Sequence, residues 1–176
     1  FHCHIGSQIL DISPFAPAAE VVLDFIAQVK KECGCEVSIL NLGGGFGIHY
    51  TLEDDPDPYD AYMEQVSQTV KAKTEELGLK LPYIIIEPGR SIVGPAGITL
   101  HTVGGIKNIP GYRKYVSVDG GMTDNIRYAL YGSKYDFLLA NKADQPKDDV
   151  VTIAGRCCES GDLLGEGVQL QTAEVG

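Results

Sequence analysis

Three polar clusters in the sequence combine residue types that can carry out chemistry. They are His4 to Gln8, the glycine-rich stretch Gly43 to Gly47, and Glu87 to Ser91. Each follows a short stretch with the composition of a buried strand, bounded by Gly or Pro. In parallel barrels and open α/β sheets the carboxyl ends of the strands carry the site, so we expect these three clusters to lie close together.

The glycine cluster has the composition of an anion-binding loop. Three adjacent glycines let backbone N–H groups approach an anion closely, and Ser7, Gly89 and Arg90 could add donors, so the set predicts a bound phosphate. The alternative is a tight turn that needs positive φ, because short glycine motifs also occur without a ligand. His4 on its own fits a packed or surface imidazole as well as a catalytic one.

Glu87 is a candidate functional carboxylate because it directly follows Ile84, Ile85 and Ile86. Removing a carboxylate from water is costly unless a cation or a protonated ring nitrogen faces it. Arg90, three residues later, could be that cation, and a simple ion pair is the alternative to a functional role.

The five cysteines are expected to be free thiols. They form an odd set without a CxxC pair, so neither a disulfide framework nor a metal site is indicated. For most of them the simpler interpretation is a small buried apolar side chain. Cys157 and Cys158 are adjacent and precede Glu159 and Asp162 in the stretch RCCESGD, which leaves their purpose open.

Two helices and three strands are predicted to position the first half of the chain. Apolar residues recur at helical spacing over residues 14–32 and 58–77, each followed by a glycine. The runs 36–42 and 81–87 are apolar on both alternating faces, which predicts strands buried on both sides, and residues 1–5 read as a third strand. Strand ends about 40 residues apart suit repeated βα units.

The second half of the chain predicts a β-rich region. Three stretches contain β-branched residues, in alternation or in runs, between glycines, and none has apolar residues at helical spacing: 97–109, 114–121 and 149–157. Residues 140–149 have the composition of a polar loop. We therefore predict an α/β chain with one domain at 1–95 and a β-rich domain at 96–176.

Composition narrows the class of protein. The net charge of -10 disfavours binding to nucleic acid or to anionic lipid, and no apolar run approaches the roughly 20 residues of a membrane span. No signal sequence opens the chain, so we expect a cytoplasmic protein. Because it starts and stops abruptly, we expect a fragment of a longer protein.

Five ordered motifs together resemble one enzyme family. HIGSQ, GGGFGIHY, EPGRSIVGPAG, VDGGMTDNIRYALYG and CESGD are similar to those of the fold-type III pyridoxal-phosphate decarboxylases, over nearly the whole chain. The resemblance implies part of a (β/α)8 TIM barrel of the alanine-racemase type, then part of a β-domain. It also implies a homodimer with active sites shared between subunits.

The resemblance assigns cofactor roles to the first clusters. His4 would stack on the ring of pyridoxal 5'-phosphate, and its phosphate would be surrounded by Ser7, Gly44, Gly45, Gly89 and Arg90. Glu87 would keep the pyridine nitrogen protonated, so that the ring accepts the electrons left when CO2 departs. Alanine racemases use an arginine there, so a carboxylate favours decarboxylation.

The resemblance also implies a substrate with a second amino-carboxylate end, meso-2,6-diaminopimelate, which would yield L-lysine. Arg127 and Tyr131, with Arg90 possibly shared, match positions that bind the distal carboxylate, and Glu159 matches the residue that meets the distal ammonium. Cys158 would donate the proton that replaces CO2 at Cα, with Asp162 shaping its loop. Without the motifs, Arg127 would suggest a surface ion pair and Tyr131 a core tyrosine.

Two rival functions stay open. One is decarboxylation of arginine, ornithine or carboxynorspermidine within the same family, and the other is a non-catalytic homologue that binds cofactor or phosphate and regulates a true decarboxylase. No lysine stands in the motif of the residue that would hold the cofactor covalently. We therefore expect these 176 residues alone to show no turnover.

Overall fold

The computed structural model describes all residues from 1 to 176, and they form two compact units, Phe1–Gly97 and Ile98–Gly176. The first unit is an α/β arrangement in which helices alternate with short strands. Its elements, in chain order, are α1 (Phe15–Cys33), β1 (Ile39–Asn41), α2 (Tyr59–Glu76), β2 (Tyr83–Ile85) and α3 (Gly89–Val93), followed by a 3₁₀ turn at Gly94–Ala96.

The two long helices confirm the sequence prediction to within a residue at each end. They form because each has an apolar stripe that can be buried on one side, and α1 ends at Gly34, whose φ of 68° suits a residue without Cβ. Both stripes pack into one core with residues from β1 and the loop after it. The buried members are Phe15, Ala19, Leu23, Ile26, Leu40, Leu42, Phe46, Tyr62, Val66 and Val70.

Strands β1 and β2 are parallel neighbours joined through α2, as the βα repeat predicts. Leu40 pairs with Ile84 and Asn41 with Ile85. The predicted first strand is confirmed in part: His2 forms a parallel bridge with Asn41, and the Asn41 N–H and carbonyl bond to the Phe1 carbonyl and the Cys3 N–H. This register aligns the residues that follow each strand, namely the loops after His4, Asn41 and Ile85, at one edge.

The prediction that these strands are buried on both sides is wrong. Tyr83, Ile84 and Ile85 are all exposed, so β2 is buried on neither face, whereas in β1 Leu40 is fully buried and Ile39 is exposed. Two strands also do not close a barrel, so the fold observed is an open α/β unit.

The second unit is a four-stranded sheet. Its strands are β3 (Val103–Ile109), β4 (Arg113–Val118), β5 (Asp149–Ala154) and β6 (Leu163–Leu170), in that spatial order. The β3–β4 and β5–β6 pairs are antiparallel and the β4–β5 pair is parallel. One apolar side forms a core with Val116, Val151, Ile153, Leu164 and Leu170 at its centre.

The β-rich character of this region is confirmed, with two elements that the sequence reading missed. They are strand β6 and a short helix, α4 (Arg127–Tyr131), while the predicted polar loop contains a 3₁₀ turn at Ala140–Lys142. None of the helices in either unit has the length and apolar character required to cross a membrane.

Candidate active site

The three loops predicted to meet in the first unit are in backbone contact. A Cβ atom on Gly44 would lie 2.0 Å from the carbonyl oxygen of Glu87, and one on Gly45 would lie 2.1 Å from the carbonyl oxygen of Gly6. Gly43 and Gly45 also have φ values of 69° and 91°. Glycine is thus required here by close packing and by left-handed backbone, which is the structural alternative raised for this motif.

His4 lies against the glycine loop. The backbone N–H of Gly44 donates a hydrogen bond of 3.3 Å to His4 Nδ1, so this nitrogen is the acceptor and Nε2 carries the proton when the ring is neutral. The ring lies beside Gly43 and Gly45 and is oriented by this hydrogen bond.

The Glu87 carboxylate lies at the same edge of the sheet and is held by two neighbouring strands. Its Oε1 accepts a hydrogen bond of 2.8 Å from Asn41 Nδ2, and its Oε2 lies 3.4 Å from His2 Nε2. The hydrogen bond from Asn41 lowers the pKa of Glu87 below its usual value, against partial desolvation, and His2 and His4 lower it further. Glu87 is therefore an anion at neutral pH.

The expected burial of Glu87 is wrong, and the alternative raised for it, an ion pair with Arg90, is not observed. The Glu87 side chain is 52% exposed rather than buried, and Ile84 and Ile85 before it are exposed as well. It also forms no ion pair with Arg90. The chain reverses at Pro88, where the Gly89 N–H bonds back to the Glu87 carbonyl at 2.9 Å, and this turn sends Arg90 in another direction.

Arg90 instead contacts the first loop. Its Nη2 donates a hydrogen bond of 2.9 Å to Ser7 Oγ, and its guanidinium carbon lies 5.5 Å from the ring centroid of Tyr50. Arg90 and Ser7 are thus adjacent donors, as the predicted phosphate site requires. A Cβ on Gly89 would meet open space, so nothing obstructs an approach to that backbone.

Two residues that organise this edge were given no role in the sequence analysis. Asn41 bridges Glu87 and the glycine loop, since its Oδ1 also accepts a hydrogen bond of 2.9 Å from the Gly43 N–H. Gln8 joins the first two loops by donating to the Ile48 carbonyl and accepting from the Ile48 N–H. The available signal for Asn41 was a polar residue inside an otherwise apolar run, immediately before the glycines.

In the second unit the candidate cysteines lie on a closed loop. Asp162 is buried at its base, and its Oδ2 accepts a hydrogen bond of 2.6 Å from the Cys157 N–H. Cys158 is exposed beyond that base, and Glu159 is exposed beside it. A backbone hydrogen bond from Gly161 and the Ser160 hydroxyl lower the pKa of Glu159, so that side chain is also an anion.

Arg127 and Tyr131 come together on α4, one helical turn apart. The guanidinium carbon of Arg127 lies 5.3 Å from the centroid of the Tyr131 ring. Arg127 Nε is buried and has no hydrogen-bond partner within the chain, which is uncommon for such a donor. The Tyr131 side chain is 69% exposed, so neither the surface ion pair nor the core tyrosine of the simpler interpretation is observed.

The profile of one protein family matches this chain over residues 1–94. That family is described as pyridoxal-dependent decarboxylase, pyridoxal binding domain. The chain belongs to the pyridoxal-dependent decarboxylases. The prediction of a pyridoxal cofactor is thereby confirmed at the level of the family, and the matched range includes every residue of the glycine, Glu87 and Arg90 loops.

Two relatives of this chain are named diaminopimelate decarboxylase. The chain is 52% identical over 163 residues to the diaminopimelate decarboxylase of Bacillus methanolicus, covering 93% of this chain and 38% of that protein. It is 48% identical over 175 residues to that of Bacillus subtilis, covering 99% and 40%. The chain therefore spans about 40% of the length of these relatives, and the predicted resemblance is confirmed.

Solved structures give the same result. Diaminopimelate decarboxylase from M. jannaschii, in complex with L-lysine, matches with a TM-score of 0.84 at 38% identity, over 99% of this chain and 39% of that one. The Helicobacter pylori protein of the same name, also complexed with L-lysine, matches with a TM-score of 0.78 at 30% identity, over 99% and 41%.

The residues of the first unit fit a pyridoxal phosphate. Glu87 supplies an anion, and because a carboxylate has about four acceptor sites, its two contacts leave capacity for another donor. Ser7 and Arg90 supply adjacent hydrogen-bond donors for a phosphate. His4 supplies a fixed planar ring. These residues therefore offer an acceptor for a protonated ring nitrogen, donors for a phosphate and a planar group for a ring face.

Proposed function

We propose that the whole protein converts meso-2,6-diaminopimelate to L-lysine and CO2, the last step of lysine biosynthesis, with pyridoxal phosphate as cofactor. The names of the relatives support this reaction. The observation that carries it is Glu87, an ionised carboxylate held beside the glycine loop and His4. Five free cysteines favour a reducing compartment, so we place the reaction in the cytoplasm.

Residues of the first unit would bind and tune the cofactor, which supplies a sink for the electrons released with CO2. Glu87 would hold a proton at the pyridine nitrogen, since an anion stabilises a cationic ring. His4 would pack on the ring face. The phosphate would be bound by Ser7, Gly44, Gly45, Gly89 and Arg90. Residues 1–95 would belong to a (β/α)8 barrel that the remaining part of the protein completes.

Residues of the second unit would bind the substrate and deliver a proton. Arg127, whose Nε lacks a partner, would bind the distal carboxylate together with Tyr131 and Arg90. Glu159 would meet the distal ammonium, and Cys158 would donate its proton to Cα. We assign residues 96–176 to a β-domain and place Cys158 at an active site shared across a homodimer.

The 176 residues alone are expected to be inactive. No lysine of the chain stands in the motif of the residue that would bind the cofactor, and three of the lysines in the first unit form ion pairs, Lys30 and Lys80 with Glu36 and Lys73 with Asp24. A residue elsewhere in the whole protein would have to hold the cofactor covalently. Incubating the chain with pyridoxal phosphate and meso-diaminopimelate should release no CO2, and robust release would refute this expectation.

A chimera tests the function directly. The chain would replace the matching segment of the B. subtilis relative, which it covers with 48% identity. We expect the purified chimera to carry bound cofactor and to release CO2 from meso-diaminopimelate. Glu87→Ala should lower kcat on the order of 100-fold, whereas Glu20→Ala, an exposed acid on α1, should leave kcat unchanged.

Substrate comparison separates the rival functions. A chimera that binds cofactor but prefers arginine, ornithine or carboxynorspermidine would move the assignment to another decarboxylase of the family. One that binds cofactor and releases no CO2 from any of these amino acids would support the non-catalytic homologue. The Glu87→Ala result gives an independent answer, because unchanged turnover would remove the role assigned to that carboxylate.

A further inference from the structure

Asp162 is a buried carboxylate in a unit where burial of charge is otherwise avoided. Its residue surface is 2% exposed, yet no lysine or arginine contacts it within hydrogen-bonding distance. A buried ion is costly unless its oxygens are fully hydrogen-bonded, so its surroundings must compensate for the lost water. The groups that do so are backbone amides, and they identify what this side chain holds in place.

Two loops are joined through the Asp162 side chain. Oδ1 accepts a hydrogen bond of 2.6 Å from the Met122 N–H, in the loop after β4, and Oδ2 accepts one of 2.6 Å from the Cys157 N–H. The base of the cysteine loop is closed further by backbone bonds, Gly155 N–H to the Asp162 carbonyl at 2.8 Å and Arg156 N–H to the Gly120 carbonyl at 3.0 Å. The backbone at Cys157, the residue directly before Cys158, is therefore held in place by hydrogen bonds.

Two glycines make room for this carboxylate. A Cβ atom on Gly121 would lie 2.4 Å from Asp162 Oδ1, and one on Gly155 would lie 2.3 Å from both oxygens. Side chains at these positions would displace the carboxylate from the amides. Glycine at both positions therefore leaves space for the Asp162 carboxylate, in addition to any role in closing the two turns.

The two adjacent cysteines have different surroundings as a result. Cys157 is partly buried and its backbone N–H donates to the Asp162 carboxylate, whereas Cys158 is exposed. Burial, and then the Asp162 carboxylate, raise the pKa of the Cys157 thiol, which keeps it protonated and unreactive. Residues 156–158 form a bend shortly after β5, and within this bend Cys157 is partly buried while Cys158 is exposed.

We propose that Asp162 is a positioning residue that turns Cys157 inward and presents Cys158 outward, and so determines which cysteine of the pair can act as a proton donor. This inference rests on the proposed function for the donor itself. The orientation of the two thiols, however, can be measured without any turnover.

Alkylation of the full 176-residue chain with iodoacetamide, read at each cysteine by mass spectrometry, tests the orientation. In the unsubstituted chain Cys158 should react at least about tenfold faster than Cys157, because a buried, higher-pKa thiol has less thiolate. Asp162→Ala should bring the two rates to within about threefold of each other. Asp144→Ala, an exposed acid in the same unit, should leave the ratio unchanged.

Asp162→Asn is a second, more conservative variant that tests the proposal even if Asp162→Ala does not fold. Its oxygen can accept one of the two amide hydrogen bonds while its NH2 group cannot accept the other, so the ratio should fall to an intermediate value. Equal rates in the unsubstituted chain would overturn the proposal. So would an unchanged ratio in either Asp162 variant whose circular dichroism matches that of the unsubstituted chain.

The same substitutions in the chimera connect orientation to catalysis. Asp162→Asn should lower kcat for meso-diaminopimelate by about tenfold or more with little change in KM, since a proton donor acts after the substrate is bound. A changed thiol ratio with unchanged kcat would refute Cys158 as the donor and leave the positioning intact. An unchanged thiol ratio refutes the positioning whatever the chimera does.

Discussion

Substitution of Gly44 by alanine tests whether the glycine loop and the Glu87 loop form one structure. The added Cβ would lie 2.0 Å from the Glu87 carbonyl oxygen, whereas ordinary contact begins at 3.4 Å, so one backbone must move by about 1.4 Å. No flexible side chain can absorb this shift, because the opposing atom is backbone. Overpacking of this kind costs about 1–3 kcal/mol, and we expect that loss in the free energy of unfolding.

Urea unfolding of the chain would measure the stability, and the affinity of the chimera for pyridoxal phosphate would measure the site. Because Glu87 moves with its backbone, Gly44→Ala should weaken cofactor binding about tenfold, equivalent to about 1.4 kcal/mol. Gly97→Ala is the control, since its Cβ meets open space and its φ of -123° suits alanine. Wild-type stability together with wild-type affinity in Gly44→Ala would refute the close contact between the loops.

Three further substitutions have expected outcomes. Asn41→Ala should raise the Glu87 pKa toward its usual value, seen as a titration midpoint at higher pH in carboxyl NMR spectra, and an unmoved midpoint would exclude Asn41 as its main donor. Burial would raise the pKa of Asp162, but hydrogen bonds from Met122 and Cys157 outweigh it and lower the pKa. The ionised Asp162 therefore stabilises the folded chain fully above its unfolded pKa of about 3.9, and this stabilisation is lost as the pH falls through its folded pKa. Asp162→Asn should remove this pH dependence from acid unfolding curves. Arg127→Lys keeps the charge but loses the planar fork, so KM of the chimera for meso-diaminopimelate should rise about tenfold, whereas an unchanged KM would place the distal carboxylate elsewhere.

Local sequence patterns were sufficient to predict the two long helices. An apolar stripe at helical spacing followed by glycine specifies both the buried face and the end of a helix, and α1 and α2 have these features. The meeting of the three loops was predictable too, because parallel strands bring their carboxyl ends to one edge. These successes rely on relations between near neighbours or on a general rule of sheet topology.

The surroundings of Glu87 were not predictable in the same way. Three isoleucines indicate a buried strand, but the sequence does not show which face of a sheet its helices cover. Arg90 was the obvious partner by proximity, yet the turn at Pro88 directs it to Ser7, 83 positions earlier. Asn41, 46 positions away, is the actual donor to Glu87. Partners at such distances depend on strand register, which composition does not reveal.

In the second unit the missed elements have weak local signals. Helix α4 is only five residues long, too short for a periodic stripe, and β6 contains Gly165 and Gly167, which lower its resemblance to a strand. The buried position of Asp162 also had no local sign, since ESGD reads as an exposed turn. Its partners Met122 and Cys157 are brought together by the parallel pairing of β4 with β5.

The two-point contact of Gln8 with Ile48 constrains how this chain can vary in length. A single side-chain amide pairs with both backbone groups of one residue, so it takes the place of a neighbouring strand where the first loop bends away, with Gln8 itself at a φ of 58°. Inserting or deleting one residue between positions 4 and 8 would separate that amide from its partner and rotate His4 away from the glycines. The loop that follows is fixed in a similar way, because the Asp54 carboxylate accepts hydrogen bonds of 2.9 and 2.8 Å from the Tyr50 and Thr51 N–H groups.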